Sequence, residues 1–246
     1  MSVVIEFKNV TKRYPLYHHI GSGIKELIFN PRRALSLLSG RSYLAIEDIN
    51  FVIEKGESVA LIGRNGAGKS TSLGLVAGVM KPSSGTVSVT GRVASMLELG
   101  GGFHPELTGR ENIRLNATLL GLRRKELKQR MDKIIEFSEL GDFIDEPIRV
   151  YSSGMLAKLG FSVITQVDPD ILIIDEVLAV GDISFQRKCL ATINDFKAKG
   201  VTILFVSHNL ADVSKVCDRV IWIEDHKLRQ MGNSADVIAA YQAVMA

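Results

Sequence analysis

The stretch "ESVALIGRNGAGKST", residues 57–71, decides the fold. Its first half carries four consecutive apolar residues, Val59 to Ile62, which read as a short buried strand. Gly63 follows, then four residues, then Gly68, Lys69 and Ser70, and a helical pattern, "KSTSLGLVAGV", begins there. The spacing is a complete match to a phosphate-binding loop, with the strand and helix it requires on either side. Glycines let backbone amides turn inward onto phosphate oxygens, and the helix start adds the positive end of its dipole. Lys69 is placed to bridge β and γ phosphates and Ser70 to hold Mg²⁺, while Asn65, Gly66 and Thr71 complete the expected nucleotide contacts.

A phosphate loop needs a second anchor for the metal, and "DILIIDEVLAVGD", residues 170–182, offers one. Four apolar residues deliver Asp175 and Glu176 to a strand's carboxyl end, where open α/β sheets place their ligands. Asp175 is expected to orient Mg²⁺, and Glu176 to polarise the attacking water. "VTILFVSHN" ends another buried strand at His208, a candidate polar contact to the γ-phosphate.

The rest of the chain frames this site. Strand-like segments recur at "VVIEFKNV", "AIEDINFVIE", "GTVSVTG" and "RVIWIE". Helical patterns lie between and after them, including "RENIRLNATLLG", "RKELKQRMDKIIEFSEL", "SFQRKCLATINDFKAKG" and "ADVIAAYQAVMA". The early strands are expected to pair in meanders through the "EKGE" and "SSG" turns, and "ILIID" and "VTILFVS" to lie in buried parallel positions. The implied architecture is α/β: a mixed, largely parallel core sheet, an antiparallel β layer, and a helical subdomain near 106–166, all in one domain over 1–246.

Composition narrows the function classes. Apolar residues make up 46% of the 246-residue chain, enough for a large core. Thirty basic residues against 27 acidic leave a net charge of only +3, so no general nucleic-acid surface is implied. Cys189 and Cys217, in a helix and at a strand edge, lack metal-ligand spacing and read as buried thiols in a reducing compartment. The N-terminus "MSVVIEFKNV" has no secretory pattern, and no window offers about 18 consecutive apolar residues. Any membrane work is therefore expected to need a partner.

"YSSGM", residues 151–155, opens a helical run, "LAKLGFSVITQ", with two hydroxyls and a glycine. A helix start of this kind is an anion site by the same physics as the phosphate loop. One chain with one phosphate loop has no use for a second such site. A head-to-tail dimer does: Ser152, Ser153 and Gly154 of each copy would close over the γ-phosphate held by the other copy's Lys69.

Here the sequence resembles the nucleotide-binding subunit of ATP-binding-cassette proteins, over nearly its whole length. "GRNGAGKST" is similar to the Walker A loop, "ILIIDE" to the Walker B strand, "AVGD" to the D-loop at Asp182, "SHN" to the switch histidine, and "YSSGM" to the signature usually written L-S-G-G-Q. Tyr151 and Met155 stand where Leu and Gln are usual, and Ser153 replaces the first glycine. The resemblance implies a P-loop NTPase cassette that hydrolyses ATP with Mg²⁺. It makes Tyr14 of "VTKRY" the candidate for stacking on adenine, with Tyr43 as the alternative. Glu98 of "MLELGGGFHPELTGRENI" stands near the position of the usual metal-contacting glutamine.

The same departures resemble one branch, the ATPase subunits that export bacterial cell-surface polysaccharides, particularly the lipid-linked O-antigen of lipopolysaccharide. That implies a second copy of the chain, a separate integral-membrane permease in two copies, a lipid-linked polysaccharide cargo, no nucleic acid, and a place on the cytoplasmic face of the inner membrane. Ending soon after "LRQMGNS", the chain is similar to the short form without a C-terminal carbohydrate-binding domain. Capsule or teichoic acid export, or a soluble non-transport cassette ATPase, are the alternatives. Residues 15–44, with Lys25, Arg32, Arg33 and Arg41 among leucines and Phe29, form a basic insertion suited to a membrane surface or an anionic lipid head group. "GGGFHPELTG" is expected to line the groove that receives a permease helix.

Overall fold

The computed structural model describes residues 2–16, 42–96, 102–175, 182–207 and 209–245. Nearly all of the basic insertion lies outside them, as do Glu98, Glu176 and His208.

The core is a six-stranded sheet in the order β5-β6-β7-β3-β8-β9. β3 (Ser58–Ile62) runs parallel between β7 (Thr202–Val206) and β8 (Arg219–Glu224), and β6 (Ile171–Asp175) runs parallel between β5 (Val93–Ser95) and β7. Only β9 (Lys227–Asn233) is antiparallel, against β8. All five residues of β3 and of β7 are buried, because both faces of the sheet are covered. Ala60, Ile62, Leu172, Ile174, Ile203 and Phe205 face the core shared with the helices. The alternate residues Val59, Leu61, Ile171, Ile173, Leu204 and Val206 face the core shared with the second sheet. Each Val, Leu, Ile or Phe side chain among them removed from water contributes roughly 1.5–3 kcal/mol before entropy is counted.

The second sheet has three antiparallel strands in the order β2-β1-β4: β1 (Val3–Pro15) pairs with β2 (Ser42–Glu54) on one side and β4 (Ser84–Val89) on the other. Phe7 and Phe51, opposite one another in the register, stack at 4.3 Å between ring centroids. The meander expected through the "EKGE" turn is corrected here. β2 and β3 lie in different sheets, and β4 returns to β1. A fully buried β3 with four apolar residues loses more by standing at the edge of a half-solvated antiparallel layer than by crossing to the buried parallel one.

Three helices form a layer of their own: α2 (Gly109–Leu119), α3 (Arg124–Ser138) and α4 (Ser153–Ile164), preceded in chain order by α1 (Lys69–Val76). α2 begins at a reciprocal cap, in which Thr108 Oγ1 accepts from the Glu111 amide at 3.2 Å and Glu111 Oε2 accepts from the Thr108 amide at 2.9 Å. The buried side chain of Asn112 then organises the preceding loop, donating to the carbonyls of His104, Leu107 and Thr108. α5 (Ile183–Ala198), α6 (Leu210–Val216) and α7 (Ser234–Met245) complete the fold. β9 and α6 were not legible as elements in the sequence. Among the described residues, no helix is long and apolar enough to cross a membrane.

Cys189 is buried on α5. Cys217 is also buried, between the end of α6 and the start of β8. Burial pushes both thiols up to about 12, which leaves them inert.

Candidate functional site

β3 delivers the chain to the carboxyl end of the core sheet, and residues 63–68 turn it into α1. Two glycines make that turn possible. Gly63 has φ 149°, and a Cβ there would strike the Ile223 carbonyl of β8. Gly68, the N-cap of α1, has φ 112°, and a Cβ there would stand 2.6 Å from the Ala45 carbonyl of β2. The loop encloses a cavity of about 380 Å³, lined by Asn65, Gly66, Gly68, Lys69, Ser70 and Thr71, with Tyr43 and Ala45 from β2. The Lys69 ammonium is buried beneath it, donating to the carbonyls of Gly63 at 2.7 Å and Arg64 at 3.0 Å. No side chain caps α1, so the first amides of the helix face the cavity's end of the loop. A cradle of this size, with a lysine and a helix start behind it, fits a chain of phosphates.

Two candidate metal holders are described. Ser70 is exposed in the cavity wall, and Asp175 is half-buried at the carboxyl end of β6, in register with Val206 of β7. The hydroxyl and the carboxylate are oxygen donors of the kind Mg²⁺ takes. Glu176 and His208 follow the ends of these two strands in sequence.

Tyr14 and Tyr43 are opposite one another in the β1-β2 register. Tyr14 is half-buried, its hydroxyl 3.4 Å from Thr71 Oγ1 and 3.1 Å from Met80 Sδ, with the Lys12 ammonium 5.2 Å from its ring centroid. Tyr43 is 43% exposed in the cavity wall, donates to the Gly66 carbonyl at 3.3 Å, and meets His226 edge-on at 5.8 Å. Both tyrosines therefore reach this segment, Tyr43 at Gly66 within the turn and Tyr14 at Thr71 in the first turn of α1.

The "YSSGM" segment lies elsewhere. Ser152 is the N-cap of α4, its hydroxyl accepting from the Met155 amide at 3.2 Å. Ser152 and Ser153 are exposed and Gly154 is half-exposed. Tyr151 behind them is buried, packs against Gly109 of α2, and donates to the Phe143 carbonyl. Desolvation raises its phenol above the ordinary value. An aromatic in place of leucine thus anchors the segment to the helical layer, leaving the hydroxyls outside. None of residues 151–155 lines the Lys69 cavity.

Asp182 caps α5, accepting from the Phe185 amide at 2.8 Å through Oδ1, and pairs with Lys158 of α4 at 2.7 Å through Oδ2. The lysine hydrogen bond, then the amide, hold this carboxylate below its usual range. Sequence reasoning named Tyr43 only as the alternative to Tyr14, and it did not single out Lys158. Lys158 carries no motif beyond lying four residues after Gly154.

Comparisons with known proteins agree with this geometry. Residues 46–179 match the family model described as ABC transporter. The chain is 76% identical over 246 residues, the full length of both, to the O-antigen export system ATP-binding protein RfbB of Klebsiella pneumoniae. It is 42% identical over 240 residues, 98% of this chain and 70% of the other, to the teichoic acids export ATP-binding protein TagH of Listeria monocytogenes. A solved ATP binding subunit of an ABC transporter superposes with TM-score 0.75 and 26% identity, over 97% of this chain and 93% of that one. A dimeric ATP-binding cassette solved with ADP and Pi superposes with TM-score 0.74 at 19% identity, over 94% of this chain and 98% of that one, a likeness of fold.

Proposed function

The chain belongs to the ABC transporter family of ATPases, and we propose that it drives export of lipid-linked O-antigen polysaccharide across the inner membrane. The observation that carries the cargo is the 76% identity, end to end, with an O-antigen export ATP-binding protein. The 42% identity with teichoic acid export proteins is compatible with the same mechanism and a different polymer.

In this reading, 1–246 is one cassette that works as a head-to-tail pair at the cytoplasmic face, bound to two copies of an integral-membrane permease. ATP lies with its phosphates over Lys69 and the loop amides of one copy. Ser152, Ser153 and Gly154 of the other copy close over the γ-phosphate, because one chain keeps its two anion-binding helix starts apart. Tyr14 or Tyr43 takes the adenine. Ser70, Asp175 and Glu98 would hold Mg²⁺, which when bound offsets the charge of the phosphoryl oxygens. Glu176 polarises the water that attacks the γ-phosphorus as the bond to the β–γ bridging oxygen breaks, and His208 contacts the transferred group. Closure by ATP and reopening after hydrolysis turn the permease, since ATP and ADP favour different dimer states. The basic insertion is assigned to the permease or to the diphosphate of the cargo, and "GGGFHPELTG" to the groove that receives a permease helix.

The test is a glycolipid extraction from native cells carrying only Glu176→Gln. The expected result is long lipid-linked polysaccharide accumulating inside while surface polymer disappears. Normal levels of both pools would refute the cargo. Reversing Arg32 and Arg33 to Glu should impair export while basal ATP hydrolysis continues, and unchanged export would remove the insertion from the account.

A further inference from the structure

α4 and α5 are joined by an alternating string of charges, of which only Asp182 belongs to an ATP-binding motif. The Lys158 ammonium lies 2.7 Å from Asp182 Oδ2 and 3.6 Å from Glu139 Oε2, and 5.1 Å from the Phe185 ring centroid. The other oxygen of Glu139 takes Lys188 of α5 at 2.8 Å. Lys188 in turn donates to the Phe137 carbonyl at 3.1 Å and stands 4.3 Å from the Phe137 ring centroid. Negative, positive, negative and positive groups thus run from the cap of α5, through α4 and the end of α3, back to α5.

Three observations separate this string from an ordinary surface ion pair, which contributes little. Lys158 is only 16% exposed along its side chain, against 56% for Asp182 and 43% for Glu139, so its stem is packed between the helices. Glu139 occupies the left-handed region at φ 54°, a conformation disfavoured for a residue with a side chain, and does so where its carboxylate meets both lysines. Lys158 also lies one helical turn beyond Gly154 on α4, so the two share a helix face. Phe185, whose ring lies under Lys158, is the residue whose amide Asp182 caps.

We propose that Lys158 is a positioning residue that fastens the start of α5 to the signature helix α4, so that Asp182 and Ser152–Gly154 meet the second copy as one rigid face. The inference rests on the head-to-tail dimer proposed above. Without the lysine, Asp182 and Glu139 keep their charges with only Lys188 to answer them, and α4 can turn without carrying α5. Dimer closure must then order two segments separately instead of one. Glu139 acts through Lys158 by holding it from the opposite side.

The experiment measures ATP-driven dimerisation by sedimentation in a Glu176→Gln parent, beside ATP affinity of the monomer at low protein concentration. Lys158→Met should weaken the dimer by about tenfold and Lys158→Arg by no more than about threefold, with monomer affinity changed by less than about twofold. A purely structural role would not spare monomer affinity or be rescued by arginine. Dimerisation of Lys158→Met equal to the parent would overturn the proposal. Should Lys158→Met lose ATP binding as well, Glu139→Gln decides: weaker dimerisation with intact ATP binding supports the strap, and parent-like dimerisation overturns it. A parent that does not dimerise with ATP refutes the dimer reading and the inference with it. That failure is distinct, because only the others leave a dimer to measure.

Discussion

The phosphate loop at Gly63–Thr71 and the signature at Tyr151–Met155 are both helix starts made of glycine and hydroxyl side chains, and they are finished in opposite ways. At the first, the N-cap is a glycine without a side chain, the lysine is buried beneath the turn, and the loop walls a cavity of about 380 Å³. At the second, Ser152 spends its hydroxyl capping its own helix, both serines are exposed, and none of the residues lines that cavity. The first is a complete cradle. The second is an exposed projection held from behind by Tyr151, and in the proposed reading its ligand comes from another copy.

That contrast breaks most directly at the two ends. Lys69→Ala should lower ATP hydrolysis by about 10²–10³ or more, the worth of a preorganised electrostatic contact, and should weaken nucleotide binding to the monomer. Gly154→Asp should abolish hydrolysis comparably while leaving monomer binding intact, because the new carboxylate meets phosphate only across the pair. Equilibrium nucleotide binding with each variant checks the split, and loss of monomer binding in Gly154→Asp would erase the distinction between the regions.

Smaller effects sharpen it. Tyr151→Phe keeps the ring and removes the hydroxyl from the Phe143 carbonyl, so thermal or urea unfolding should show a loss of about 1 kcal/mol. Ser152→Ala should cost a similar amount, about 1 kcal/mol, through the lost cap. The smallest effect is expected of the thiols. With Cys189 and Cys217 pushed up to about 12, the thiolate that reacts is scarce below that pH. At pH 8 a maleimide should label the folded chain far more slowly than the unfolded one, and mass spectrometry of the timed reaction would show it.

The acids of the string that joins α4 to α5 are held below their ordinary values of 3.8 for Asp182 and 4.5 for Glu139, and Lys158 above its 10.5. The sign follows for each group. The carboxylates' contribution is present above their unfolded values and fades only as pH falls through the lowered ones. That of the lysine is present below 10.5 and fades as pH rises past its raised value. Near neutrality Asp182, Glu139 and Lys158 therefore all keep their charges.

Much of this was legible because the chemistry is local in sequence. The strand, loop and helix of residues 57–76 are contiguous, and "ILIID" announces a buried strand by its unbroken apolar run. The strand-like segments "VVIEFKNV" and "AIEDINFVIE" likewise fall in β1 and β2. The missed pieces share a different property. β9 is almost entirely polar or exposed and is defined by pairing with β8, and α6 is only seven residues long, so neither carries a period to read. The misplaced meander came from treating the short "EKGE" connection as a hairpin, when burial of both faces of β3 decides its sheet. Tyr43 reaches Gly66 from 23 residues away, and Asp182 lies 24 residues from Lys158, so tertiary packing alone makes these contacts.

The central claim is that each signature serves the other copy's phosphate loop. Mixing Lys69→Ala chains with Gly154→Asp chains, each inactive alone, tests it through single-turnover ATP hydrolysis after the dimers exchange. Head-to-tail pairing gives every mixed dimer one site with both an intact Lys69 and an intact signature. With random pairing the burst should reach about a quarter of the native amplitude. If each chain's signature served its own loop, no mixed dimer would hold an intact site, and a mixture as inactive as its components would contradict the account.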